Sequence, residues 1–137
     1  MISFFTEDTK FNLKDKRKLK SWINTICQDY GKKAGDINYI LCSDEYILEI
    51  NKSYLNHDYY TDIITFDQSD TENTIEGEIY ISVDTVASNA DDLKINFDVE
   101  LRRVIIHGVL HLIGFGDKTP GDSKKMRETE NISLTKY

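Results

Sequence analysis

Asp98-Val99-Glu100-Leu101-Arg102-Arg103-Val104-Ile105-Ile106-His107-Gly108-Val109-Leu110-His111-Leu112 is the stretch that sets the architecture. Leu101, Val104, Ile105, Val109 and Leu112 recur at helical spacing, and the run is apolar around most of its circumference. A helix of that kind belongs in the interior of a domain. The stretch therefore predicts a long core helix from about Asp98. Ile113-Gly114-Phe115-Gly116-Asp117 follows, and completes the spacing His-x3-His-x2-Gly-x2-Asp.

Residues four apart on a helix differ by about 40° around the axis and lie one turn apart. His107 and His111 therefore project from one face, and their imidazoles can meet one ion. Gly114 tolerates the left-handed backbone that ends a helix, so the chain can turn there. Asp117 then falls in the loop beyond and can swing back. Three protein ligands leave a fourth tetrahedral position for water, the arrangement of a catalytic site. A His pair alone also describes two hydrogen-bonded, partly buried histidines; the glycine turn and the trailing acid move the reading to metal. A buried scaffold would fix the ligand rotamers better than a loop.

Working outward, Ile2–Thr6 is rich in β formers and predicts a strand. Leu19, Trp22, Ile23 and Ile26 mark a helix from Asp15 to about Tyr30, with Gly31 as a stop. Ile37–Cys42 reads as a strand. Ser43 is the expected N-cap of a helix running to about Leu55. Ile63–Asp67 and Gly77–Ser82 read as two strands, the second antiparallel to the first. Asp84 to about Leu93 predicts a helix with Val86, Ala87 and Ala90 facing inward. Asp122 is the expected cap of a last helix ending near Ile132 or Leu134. The order β-α-β-α-β-β-α-α-α predicts one α+β domain over residues 1–137. Its sheet should be mixed and roughly four-stranded, with the metal pair on a buried helix.

The 137 residues suit one domain with one core, and 39% of them are hydrophobic. No apolar run approaches the ~20 residues that span a bilayer. The N-terminus has neither the basic nor the long apolar region of a secretory signal. Cys27 and Cys42 form no Cys-x-x-Cys pattern and read as reduced core thiols of a cytosolic protein, with a disulfide as the alternative. The net charge of -7 argues against generic nucleic-acid affinity. Its distribution says more: residues 1–35 carry net +4, residues 36–100 net -14 and residues 101–137 net +3. If the two basic ends meet in space, a positive groove lies beside the metal. Otherwise Lys14, Lys16, Arg17, Lys18 and Lys20 simply solvate a helix face.

A two-His, one-carboxylate zinc site activates water and polarises a phosphoryl or carbonyl oxygen. Zinc peptidases of the His-Glu-x-x-His type use the Glu as base. Here Gly108 follows His107 and cannot serve. Phosphodiester cleavage is easier to reconcile, because a protein base is less obligatory there. None is assigned.

Three ordered motifs over roughly residues 40–130 carry a resemblance. His107-Gly108-x-Leu110-His111-Leu112-x-Gly114-Phe115 resembles the signature of the YbeY family of bacterial ribosomal-RNA maturation endoribonucleases. Asn51-Lys52-x-Tyr54 with Asp58-x-x-Thr61-Asp62-Ile63-Ile64-Thr65-Phe66 resembles that family's Leu-Asn-x-x-Tyr-Arg and Thr-Asp-Val-Leu-Ser-Phe region. Gly77-Glu78-Ile79-Tyr80-Ile81-Ser82 resembles its Gly-Asp-Ile-x-Ile-Ser strand. The resemblance implies one zinc ion held by three side chains. It also implies a cytoplasmic, single-strand-specific endoribonuclease that matures the 3′ end of small-subunit ribosomal RNA and serves ribosome quality control. Its partners would be RNA and the ribosome or ribosome-assembly proteins, with no membrane.

Two positions depart from the family. Asp117 stands where the family's third metal ligand is His, which opens the site to manganese or nickel as alternatives to zinc. Leu55 stands where the family has an Arg suited to phosphate. Lys52, His57, Arg102 and Arg103 are the candidates to supply that charge to RNA. Two other readings stay open. One is a non-catalytic ribosome-assembly factor with structural zinc; the other is a metal-dependent hydrolase of a peptide or small ester.

Overall fold

β-Branched runs become strands here, and amphipathic runs between them become the helices that cover the sheet. The computed structural model describes all residues, 1–137. Its elements are β1 (Ile2–Glu7), α1 (Lys16–Asp29), β2 (Lys33–Cys42), α2 (Asp44–Leu55), β3 (Ile63–Asp67), β4 (Thr74–Ser82), α3 (Val83–Leu93), α4 (Phe97–Ile113) and α5 (Pro120–Leu134). The sheet order is β1-β2-β4-β3. β1 pairs parallel with β2, β2 parallel with β4, and β3 antiparallel with β4. The α+β expectation with a four-stranded mixed sheet holds.

Side chains alternate across a strand, so each strand feeds two layers. Ile37, Tyr39 and Leu41 of β2 and Ile75, Ile79 and Ile81 of β4 enter the main core. Leu19, Trp22, Ile23 and Ile26 of α1 meet them there, with Leu101, Val104, Ile105, Val109 and Leu112 of α4. Cys42, Ile47 and Ile64 form a second, smaller cluster associated with α2. Both thiols are free and buried. Burial pushes Cys27 up to about 11 and Cys42 up to about 12, so neither is a reactive thiolate at neutral pH.

Three details correct the expectations. β2 begins at Lys33, four residues before Ile37, because a register shift between Ala34 and Ile37 absorbs Gly35 and Asp36. Ala87 is exposed; only Val83, Val86 and Ala90 of α3 are buried. The cap of α5 is Thr119, whose Oγ1 accepts from the Asp122 amide at 3.1 Å. Pro120 takes the first helical position, where its missing N–H is no loss, and Asp122 sits in the first turn instead.

Gly108 sets the depth of α4. A Cβ there would stand 2.9 and 3.0 Å from the Ile79 side chain and 3.2 Å from Ile63. The bare backbone thus lies directly on β3 and β4. The residue after His107 faces the sheet, which is why no base belongs at that position.

Candidate metal and RNA site

Glu100, Arg103, His107 and His111 follow one another at three, four and four residues, which aligns them along one face of α4. That face forms one wall of an open cleft of about 720 Å³. The α2–β3 loop supplies His57, Tyr59 and Asp62, the start of β3 supplies Ile63, and α5 supplies Met126, Arg127 and Glu130. Asp117 and Lys118 enter from the α4–α5 loop.

Glu130 organises the buried end. Its side chain is 6% exposed, and its Oε2 lies 2.7 Å from His107 Nδ1. Its Oε1 accepts from Arg103 Nη1 at 3.2 Å, and the same nitrogen donates to Asn131 Oδ1 at 2.9 Å. Arg103 Nε lies 3.7 Å from Glu100 Oε1. Nδ1 of His107 is therefore the proton-bearing nitrogen toward a carboxylate, which turns Nε2 to the cleft. That Nε2 lies 3.4 Å from Asp117 Oδ2.

Gly114 ends α4 at φ 126°, a conformation open to glycine. The turn brings the Phe115 carbonyl back to His111 Nδ1 at 3.0 Å. A carbonyl only accepts, so this Nδ1 also bears the proton and Nε2 is again the free nitrogen. The two rings stand 6.0 Å apart between centroids. Two imidazole nitrogens and one carboxylate are a donor set that suits zinc, and each imidazole has the outer partner such ligands use. The three side chains do not draw together into a closed metal-holding group. Asp117 reaches His107 from a loop, with its side chain 41% exposed and the loop tied to α5 by the Ser123 hydroxyl at 2.8 Å from its carbonyl.

Burial works to lower the His107 pKa, but the Glu130 hydrogen bond and the charges of Glu130, Asp117 and Asp62 outweigh it and hold the ring above its ordinary value. Burial raises Asp62, partly offset by His107. Burial also raises Glu100, against the attraction of Arg103 and Arg127 and with the help of Asp62 and Glu130. Glu100 Oε1 has no hydrogen-bond partner.

A stability test follows from Glu100. Its native pKa lies above the ordinary 4.5, so the folded chain keeps a proton that the unfolded chain releases. Stability from this group is present below 4.5 and falls as pH rises through the raised value. Glu100→Gln should therefore melt higher than the parent at neutral pH, and the gap should close below pH 4.5. Thermal melts across pH check this; a lower melting temperature at neutral pH would show that Arg103 needs the charge.

The four candidate cations separate. His57 and Arg103 line the cleft, but Arg103 is engaged by Glu130 and Asn131. Lys52 lies outside it, 3.5 Å from Asp58 and 3.9 Å from Glu49. Arg102 is one position round the helix from Arg103, about 100° away, and covers the Tyr137 ring at 4.5 Å in a different crevice. The α1 lysines line none of the metal cleft, so the basic N-terminal segment does not extend its charge. The cations that do are Lys118 and Arg127, both passed over in the sequence. Leu55, in place of the family Arg, lines the same cleft.

Glu130 was also missed. Its signal was a lone carboxylate in the buried stripe Met126, Thr129, Glu130 and Ser133 of α5, where an unpaired charge would not be tolerated.

The whole chain is similar to known proteins. A sequence model of the family described as Endoribonuclease YbeY matches residues 2–137. Proteins named Endoribonuclease YbeY from Parabacteroides distasonis and Phocaeicola vulgatus are each 50% identical to this chain. The first alignment covers 97% of this chain and 93% of the relative; the second covers 98% and 96%. A Thermotoga maritima protein solved in solution superposes with TM-score 0.70 at 31% identity, over 99% of this chain and 88% of its own. The chain belongs to the YbeY endoribonuclease family.

Proposed function

We propose that this protein is a metal-dependent endoribonuclease that cuts single-stranded RNA. Its setting is cytoplasmic maturation of the small-subunit ribosomal RNA 3′ end and ribosome quality control, with the ribosome or its assembly proteins as partners. One observation carries the metal part. Outer hydrogen bonds to Glu130 and Phe115 leave Nε2 of both His107 and His111 without a hydrogen-bond partner in an open cleft, with Asp117 3.4 Å from that of His107. The names of the relatives support the ribonuclease part.

His107, His111 and Asp117 would hold one zinc ion, which when bound supplies a Lewis acid and makes water nucleophilic near neutral pH. Manganese or nickel are the alternatives for this nitrogen–oxygen donor set. The chain's own residues do the rest. Glu130 keeps the proton on His107 Nδ1. Gly108 keeps α4 seated on the sheet, and Lys118 and Arg127 take the phosphate contacts that Arg103 cannot. The cleft carries four carboxylates (Asp62, Glu100, Asp117, Glu130) against three fixed cations (Arg103, Lys118, Arg127), so a divalent ion tips the balance toward an anionic strand.

Purified protein incubated with single-stranded RNA should cleave it and should spare a duplex. Chelator should stop cleavage, and returned zinc, manganese or nickel should restore it. Leu55 at the cleft wall is the one feature favouring the non-catalytic reading. Pre-ribosome binding with no cleavage under any of these metals would establish that reading instead.

A further inference from the structure

Tyr59, a residue 55% exposed, lines the cleft. Its position is built. Asn51, 2% exposed, donates from Nδ2 to the Tyr59 carbonyl at 2.9 Å. The Asn51 carbonyl accepts from the His57 amide at 3.1 Å and from the Asn56 amide, which caps α2 at φ 55°. The loop is thus clamped to the last turn of α2 at both ends of the segment 56–59. The His57 ring stacks on Tyr59 with centroids 5.1 Å apart and planes at 21°. Tyr59 Oη and His57 Nδ1 are 2.9 Å apart, which fixes both rings. No other ring packs on Tyr59, so the face away from His57 is open.

We propose that the His57–Tyr59 pair is a stacking platform for one unpaired base of the RNA strand, and that it sets single-strand selectivity. This rests on the endoribonuclease reading and adds a binding subsite to it. A base in a duplex has its faces occupied; an unpaired base has a face to offer an aromatic ring. A ring already locked in place loses little freedom on binding. Stacking on an aromatic side chain strengthens single-strand binding by roughly 5- to 150-fold per base. Leu55 removes a phosphate cation from the same cleft wall, and the platform holds the strand by its base instead.

The test is equilibrium binding, in zinc, of a short fluorescent single-stranded RNA with 2′-O-methyl sugars to keep it uncut, with cleavage of the unmodified strand measured separately. Tyr59→Ala should weaken binding by roughly 5- to 150-fold. Tyr59→Phe, which keeps the ring, should bind close to the parent. A set of strands each abasic at one position should contain one whose binding no longer responds to Tyr59→Ala. Equal binding by parent and Tyr59→Ala, or equal losses in the Ala and Phe variants, would overturn the platform. If the parent still cleaves in that case, the endoribonuclease reading stands alone; if the parent neither binds nor cleaves, both fall. Thermal melts of the two variants separate loss of the ring from loss of the fold.

Discussion

Glu130→Ala is expected to cost about 3–5 kcal/mol of stability, the range for removing one partner of a buried ion pair. The reason is what remains. Arg103 is 18% exposed and His107 21% exposed, and both lose a carboxylate that is itself 6% exposed. Asn131 still accepts from Arg103, but it carries no charge. Arg127, 57% exposed and 3.9 Å away, contributes little by comparison. Urea denaturation of the two proteins measures the difference, and a change under about 1 kcal/mol would place the network with surface bridges. Glu130→Gln separates structure from function. It preserves shape and one acceptor, so its stability should lie between the two. It no longer draws the His107 proton to Nδ1 by charge, so zinc affinity should fall about 10- to 100-fold, the usual effect of losing an outer partner. A glutamine variant with unchanged zinc affinity would reduce Glu130 to a core ion-pair member.

The elements were legible where a periodicity ran unbroken. β3 falls on Ile63–Asp67 as read, because its ends are set by local residue types. β2 extends four residues before the expected Ile37 because the sheet accommodates Gly35 and Asp36 in a local register shift that residue types alone do not show. At the start of α5, Thr119 and Asp122 are both good caps by residue type, and the Pro120 backbone decides for Thr119. The site divided likewise. His107, His111, Gly114 and Asp117 share one short segment and a known spacing, so they could be read together. Arg102 and Arg103 are adjacent in sequence yet sit on different walls of the molecule, and no local pattern tells which one meets the cleft. Glu130 reaches the site from α5, and Asp62 and Tyr59 reach it from the α2–β3 loop, so their placement follows from the fold. Charge was the weakest guide. The basic N-terminal segment packs its helix away from the cleft, and Lys118 and Arg127 of the C-terminal segment add cations to it.

Asp117→Ala is expected to lose metal by more than the 10- to 100-fold that an outer partner costs, because it would remove a ligand itself. Asp117 is the member of the proposed set that the fold holds least firmly. His107 and His111 stand on a helix seated against the sheet, and each ring is braced by a hydrogen bond. Asp117 stands on a loop with its side chain 41% exposed, near His107 Nε2 but not within a closed group. Elemental analysis should therefore find about one zinc per chain in the parent and a small fraction of that in Asp117→Ala. His111→Ala should lose both metal and RNA cleavage, since it removes one of the two imidazole ligands of the proposed set. Full metal content in Asp117→Ala would mean that the carboxylate serves only as an ion-pair partner of His107. Asp117→His discriminates further. It exchanges a charged oxygen ligand for a neutral nitrogen one, so it should retain metal, and the less negative ligand set should make bound water more acidic. The pH–rate profile for RNA cleavage should then shift to lower pH than in the parent. A profile that does not move would place Asp117 outside the coordination shell even if cleavage depends on the metal.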